Sequence, residues 1–370
     1  MHSRSTPTLD ICGQRLANQH LTKQTLENAG EIVQLLGAVQ AQDYSAAKWA
    51  IAQRTRGATD SDVEKEINDG AILRTHVLRP TWHFVAPRDI RWMLKLTAPR
   101  VKAALAFYDR KLELDATVLR RSRAALTKAL KAGKHLTRTE LARALTKAGV
   151  RADGTQRLAH LMMHAELDGH ICSGARRGKQ FTYALLEERV PEAEELDRDA
   201  ALSELARRYF ATRGPATEDD FAWWSGLTRA EAKRGAEIAE SALEHAIIGG
   251  RKYWFVQSPR TTKPKSPFAH LLPNFDEYFI GLKDRTAMQS KLSAAGFTGK
   301  LDGLSGHIAT IDGQAVGGWK RRFEGKSAVV VLKPLTRLSD AEHRAIARQV
   351  DRFGKFLELP ARLEIPESRF

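Results

Sequence analysis

Between residues 137 and 186 the chain spells out a complete small fold, and few architectures accept it. Thr137 has the chemistry to cap a helix and Glu140 completes a capping box, while Gly149 ends the segment LTRTELARALTKAGV. TQRLAHLMMHAELDGH reads as a second helix, in the position of a recognition helix, and ICSGARRGKQFTYAL as a hairpin. Helix, turn, helix and then a two-stranded ribbon is the pattern of a winged helix. The hairpin tip holds three cations, Arg176, Arg177 and Lys179, and two glycines, a loop suited to phosphate or a groove.

The same order occurs earlier. Leu9–Gln19 reads as a short helix with Thr8 as its cap, and 25–36 carries an apolar stripe at Leu26, Ala29, Ile32, Val33 and Leu36. Asp43 is placed to cap a helix over 45–53, and Thr59 or Asp60 opens another that stops at Asp69-Gly70. The period then changes to two: 72–78 and 81–85 read as strands joined at Arg79-Pro80. Pro87 suits a first helical turn, and a basic helix follows from Arg88. A third set comes after the acidic join 187–199: one helix at ALSELARRYFATRG, a helix pair at 217–239 with Trp223 and Trp224 in its core, and a strand at RKYWFV. Prolines 259, 264, 267 and 273 mark an irregular stretch. The tail alternates like β structure (HIATIDG, QAVGGW, KSAVVVLKPL) and ends in a helix over 340–356 with Ser339 as its cap. The expected fold is therefore mainly α with β wings, an α+β chain of tandem winged-helix domains plus a C-terminal mixed α/β, β-rich domain. The expected units are 1–134, 135–198, 199–258 and 259–370.

Charge adds a partner. The net charge is +15, and residues 88–134 hold thirteen Lys/Arg against four Asp/Glu. A solvated helix face usually mixes signs, so this excess points to a surface that tracks phosphates. Cys12 and Cys172 are far apart, with no Cys/His metal spacing, so neither a zinc site nor a disulfide framework is indicated. The N-terminus lacks an apolar signal core and no apolar run is long enough to span a bilayer. A cytoplasmic, nucleoid-associated monomer with no membrane contact is expected.

Within LGAVQAQDYSA, Gln40 and Gln42 sit two apart around Ala41. In an extended chain both carboxamides point the same way. Each offers a carbonyl acceptor and an NH2 donor, enough to hold a water or a base edge, but neither can act as a strong base. Two polar residues ending a helix would be the commonplace explanation. The surrounding blocks argue otherwise: RLANQHL at 15–21, VQAQDYSAA at 39–47, LRTHVLRPTWHFVAPRDIRWML at 73–94, LLPNFDEYFIGLKDR at 271–285 and DGQAVGGWKRR at 312–322. In order and content these blocks resemble the winged-helix DNA glycosylases typified by AlkZ and YcaQ, over about four fifths of the chain. Gln-x-Gln matches the AlkZ-like branch, the other branch having Gln-x-Asp.

The resemblance implies a monofunctional DNA glycosylase that hydrolyses the N-glycosidic bond of N7-alkylated purines in double-stranded DNA, with unhooking of interstrand crosslinks as a further capability. It implies no cofactor and no metal. Gln40 and Gln42 are carried over as the catalytic pair, positioning water and stabilising an oxocarbenium-like state in an open, cationic cleft. Asp43 is read as a helix cap in preference to a general base. Arg79, His83, Arg176, Arg177 and Lys179 are the candidate DNA contacts. Asp276, Glu277, Asp284 and Arg285 either brace the C-terminal part as an ion-pair network or line the cleft. The alternative from another class is a non-catalytic winged-helix DNA-binding protein or transcription regulator, since winged helices commonly regulate. No heptad repeat or evident dimer helix supports that alternative.

Overall fold

A computed structural model describes residues 10–191, 195–256, 266–299 and 306–366. Helix α1 (Ile11–Asn18) opens at Asp10, whose carboxylate accepts from the Gly13 N–H; the expected cap Thr8 lies outside the described residues. Helix α2 (Ala29–Leu36) starts later than expected because Asn28 and Glu31 form the capping box. Gly37, at φ +77°, ends it, and the chain runs out as strand β1 (Ala38–Gln40). Asp43 caps α3 (Tyr44–Ala52) as expected, accepting from the Ala46 N–H at 3.1 Å. Thr59 and Asp62 cap α4 (Asp60–Asp69), which Gly70 closes. The antiparallel ribbon is β2 (Leu73–His76) with β3 (Trp82–Val85), and β1 joins it in the order β1-β3-β2. The glutamine segment is thus not merely extended but paired as an edge strand.

Pro87 begins the long α5 (Pro87–Lys111), followed by α6 (Ala116–Leu130). Next come β4 (Leu136–Thr137), α7 (Arg138–Lys147) with the Thr137–Glu140 box, α8 (Thr155–Leu167), β5 (Ile171–Ser173), β6 (Thr182–Leu185) and the short α9 (Leu186–Arg189). The third set is α10 (Arg198–Arg213), α11 (Glu218–Ser225), α12 (Arg229–Ile238) and the ribbon β7 (Glu244–Ile248) with β8 (Arg251–Phe255). The last part holds β9 (Ala269–Leu272), α13 (Glu277–Ile280), α14 (Thr286–Ala294), β10 (Ile308–Ile311), β11 (Gln314–Glu324), β12 (Ser327–Pro334), α15 (Asp340–Leu357) and β13 (Ala361–Glu364). Its five strands order β13-β12-β11-β10-β9, with only β12 and β13 parallel. Ser339 caps α15 through a box with Glu342.

Two cores position the glutamines. One lies beneath β1, where Ile32, Val33, Val39, Ala41, Ile51 and Phe84 pack together. The other ties α3 to the C-terminal sheet: Trp49 packs against Phe353 and Phe356, and its indole N–H donates to the Leu271 carbonyl at 2.8 Å. The helix that follows Gln42 is therefore bolted to the tail of the chain.

Two expectations are corrected. Trp224 is core, but Trp223 is 43% exposed. And α8 does not present a recognition face. Arg157, His160, His164 and Glu166 are all buried, because α5 crosses over the helix. Asp109 on α5 sits 3.0 Å from His164 Nε2, Lys102 pairs with Asp168, and Glu166 pairs with His76 of the first ribbon. These contacts spend α8 on joining the second set to the first.

A candidate active site on an edge strand

An edge strand leaves every second pair of backbone groups without a strand partner. The Ala41 N–H donates to the Trp82 carbonyl at 2.7 Å. Alternation then turns the polar groups of Ala38 and Gln40 away from β3. The Gln40 N–H meets Glu277 Oε1 at 2.8 Å, and the Ala38 carbonyl accepts from Arg213 Nη2 at 3.1 Å. Glu277 and Arg213 also bind each other at 2.6 Å, and both are fully buried. Arg213 further donates to the Leu36 carbonyl, and the Trp224 indole N–H donates to Glu277 Oε2 at 2.9 Å. Beside this pair, Arg54 and Asp276 form a buried bidentate bridge at 2.7 and 2.9 Å. Of the two expectations for the 271–285 segment, the bracing network is what Asp276 and Glu277 build. Asp284 pairs with Arg251 at the surface.

The β2–β3 turn holds both glutamine side chains. Arg79 Nη2 donates to Gln40 Oε1 at 2.7 Å, and the Trp82 N–H reaches Gln42 Oε1 at 3.4 Å. The turn is packed against α11, where Gly226 (φ +71°) comes so close that a Cβ there would lie 2.2 Å from the Leu78 carbonyl. Gln40 is buried and Gln42 exposed. Arg74, missed by the sequence reading, donates to the Ala41 carbonyl between them at 3.1 and 3.2 Å. Its guanidinium lies 4.1 Å from the Trp82 ring centroid and 4.8 Å from that of Phe181.

His83 stands opposite Gln40 in the strand register. It is fully buried, so the expected contact with DNA is corrected: β3 is the central strand of its sheet and its side chain faces inward. Burial, and next the Arg79 charge, push its imidazole well below the ordinary histidine value and keep it neutral. The wing tip is corrected in part. Arg176 is half-buried, 3.3 Å from Glu64 on α4 and stacked over Tyr44 and Phe181. Arg177 pairs with Glu140 at 2.8 Å. Lys179 is exposed. Glu64 is what draws the tip inward, and no local sequence signal joins positions 112 residues apart. The same distance problem hid Arg213, whereas Trp82 and Glu277 stood in quoted blocks.

Among the described residues no group of three or more His, Cys, Asp or Glu is gathered to hold a metal, and no helix is long and apolar enough to cross a membrane. Comparison with known proteins gives the family. The sequence model of the AlkZ-like family, described as DNA glycosylase AlkZ-like, matches residues 33–356. An interstrand DNA cross-link repair glycosylase of Streptomyces sahachiroi is 24% identical over 328 residues, covering 83% of this chain and 85% of that protein. The solved structure of Streptomyces sahachiroi DNA glycosylase AlkZ has the same fold, with a TM-score of 0.76 and 20% identity over 96% of this chain and 98% of that one. With its match running from residue 33 to residue 356, this protein belongs to the AlkZ-like DNA glycosylases.

Proposed function

We propose that this DNA glycosylase is monofunctional and hydrolyses the N-glycosidic bond of N7-alkylated purines, with Gln40 and Gln42 as its catalytic groups. The observation that carries this reading is how the ionisable groups beside them are engaged among the described residues. Asp43 caps α3, Glu277 is spent on Arg213 and Gln40, and His83 is sealed and neutral. Such a site suits a leaving group that needs no protonation. Alkylation at N7 makes the purine cationic, so the C1′–N9 electron pair departs to neutralise it. What remains is to place a water and support an oxocarbenium-like state, which neutral dipoles can do.

The cationic helices α5 and α6 supply the duplex contact in this reading. Arg120, Arg123, Lys128, Lys131 and His170 line one groove there. The turn's Arg79 lies beside Gln40, to whose Oε1 it donates at 2.7 Å. Interstrand crosslinks enter as substrates through the name of the Streptomyces relative. A sequence-reading regulator would need an exposed recognition helix, and on α8 the polar residues Arg157, His160, His164 and Glu166 are buried.

The test is excision from a duplex with one N7-methylguanine, wild type beside Gln40→Ala/Gln42→Ala, read as strand breaks after alkali. Wild type should break the strand, and the double variant should be slower by about 100-fold or more. Equal breakage by both would leave the activity and remove these glutamines from it. No breakage on this duplex or on a crosslinked one would remove the glycosylase chemistry.

A further inference from the structure

The two carboxamides of the motif meet different partners, and the difference decides what each can offer. Arg79 carries only donors, so the Gln40 atom 2.7 Å from its Nη2 must be the carbonyl oxygen. That arginine is itself confined. It lies over the Trp223 ring at 5.9 Å, and its Nε is buried without a partner. The Gln40 backbone is fixed by Glu277. Flipping the carboxamide would face NH2 toward guanidinium and strand a charged donor. The free group of Gln40 is therefore its NH2, which makes no hydrogen bond among the described residues.

The sheet face beneath Gln40 is polar. Gln40 and His83 form a non-hydrogen-bonded pair, the closer kind, and Thr75 is the next partner of His83 on β2. His83 Nδ1 lies 2.9 Å from the Thr81 carbonyl, so it carries the proton and Nε2 is a bare acceptor, buried without a partner. The hydroxyls of Thr75 and Thr81 are likewise buried and unpartnered. Gln42 differs: it is exposed, and its carbonyl oxygen meets only the Trp82 N–H, at 3.4 Å, the limit of a hydrogen bond.

We propose that Arg79 is a positioning residue that divides the motif into a donor and an acceptor: Gln40 offers its NH2 to an acceptor on the damaged nucleotide, and Gln42 offers its carbonyl oxygen to the nucleophilic water. This rests on the function proposed above. The water oxygen forms its bond to C1′ as the C1′–N9 pair leaves with the alkylated purine, and the surplus proton passes to solvent water. An acceptor holds that water through its hydrogen and leaves the attacking lone pair free. A donor would occupy the lone pair.

The test compares carboxylates at the two positions, in single-turnover excision of N7-methylguanine between about pH 5 and pH 8, for wild type, Gln40→Glu, Gln42→Glu, Arg79→Met and Arg79→Lys. Melting temperature and duplex Kd are measured on each. Gln42→Glu keeps the acceptor, so its rate should stay within about tenfold of wild type and be level across this range, where an exposed carboxyl is already ionised. Gln40→Glu loses the donor and should fall about 100-fold or more at every pH, although a carboxylate there pairs well with Arg79. Arg79→Met should fall about 10-fold or more in rate at saturating protein, and Arg79→Lys should recover part of the loss. Equal losses in the two glutamate variants, or a better enzyme from Gln40→Glu, would overturn the division while wild-type activity keeps the glycosylase reading. An Arg79→Met variant that only melts earlier would show a structural arginine and overturn it too. An inactive wild type removes the glycosylase reading first and these roles with it.

Discussion

Glu277 and Arg213 hold the glutamine strand from the side opposite β3, and neither reaches solvent. Taking one partner away leaves an uncompensated charge in a site closed to solvent, at a cost of about 3–5 kcal/mol. Arg213→Met should therefore lower unfolding stability by about that amount, measured in urea, because it also orphans the Leu36 and Ala38 carbonyls. Glu277→Gln should cost less, since a carboxamide can still accept from the Gln40 N–H. If Arg213→Met unfolded at the wild-type midpoint, the pair would not be what fixes β1. The Gln-x-Gln spacing was visible in the sequence because it is local. Its support was not, since the partner of Gln40 lies 237 residues away and a carboxylate in DEYFIG looks the same whether it lines a cleft or seals a core.

Elements came through in the sequence where their signals are short. Capping boxes at Thr59, Thr137 and Ser339, and the glycine after α4, mark helix ends within one turn. What failed was the assignment of faces. The apolar positions of α8 predict one buried side, but His160, His164 and Arg157 bury the other as well, because α5 brings Asp109 against the two histidines and Arg157 donates to the Arg151 and Glu113 carbonyls. A polar residue in a sequence does not say whether its partner is solvent, DNA or another helix. The proposed DNA contact is therefore the groove of α6 rather than α8, and a salt experiment can tell them apart. Lys128→Gln/Lys131→Gln should weaken duplex binding for all sequences alike and lower the slope of log K against log salt by about 2. His160→Gln should leave that slope unchanged. An unchanged slope in the lysine variant would move the phosphate path elsewhere.

Across the whole molecule, several sheets and helices are joined through buried histidines, and this sets how the protein answers acid. His270 on β9 donates Nε2–H to the Leu21 carbonyl, stapling the C-terminal sheet to the loop after α1. Burial lowers its pKa from 6.5 to about 4. His83, at the centre of the first sheet, is shifted the same way by burial and by Arg79. Both are neutral in the folded protein and become protonated at higher pH once unfolded. Between the two values the unfolded chain binds more protons, so stability must rise with pH there and be lost as pH falls. For His270 the loss begins near the unfolded value of 6.5 and continues down to about 4. Each such group contributes up to about 1.4 kcal/mol per pH unit inside its window. Urea unfolding at steps from neutral pH down to about 4 should show that slope, and His270→Gln should make it shallower by nearly one proton while costing some stability at neutral pH. Parallel curves for wild type and variant would mean that His270 is already charged in the folded state. The staple between β9 and the first helix would then have to be an ion-dipole contact rather than the neutral hydrogen bond that its full burial requires.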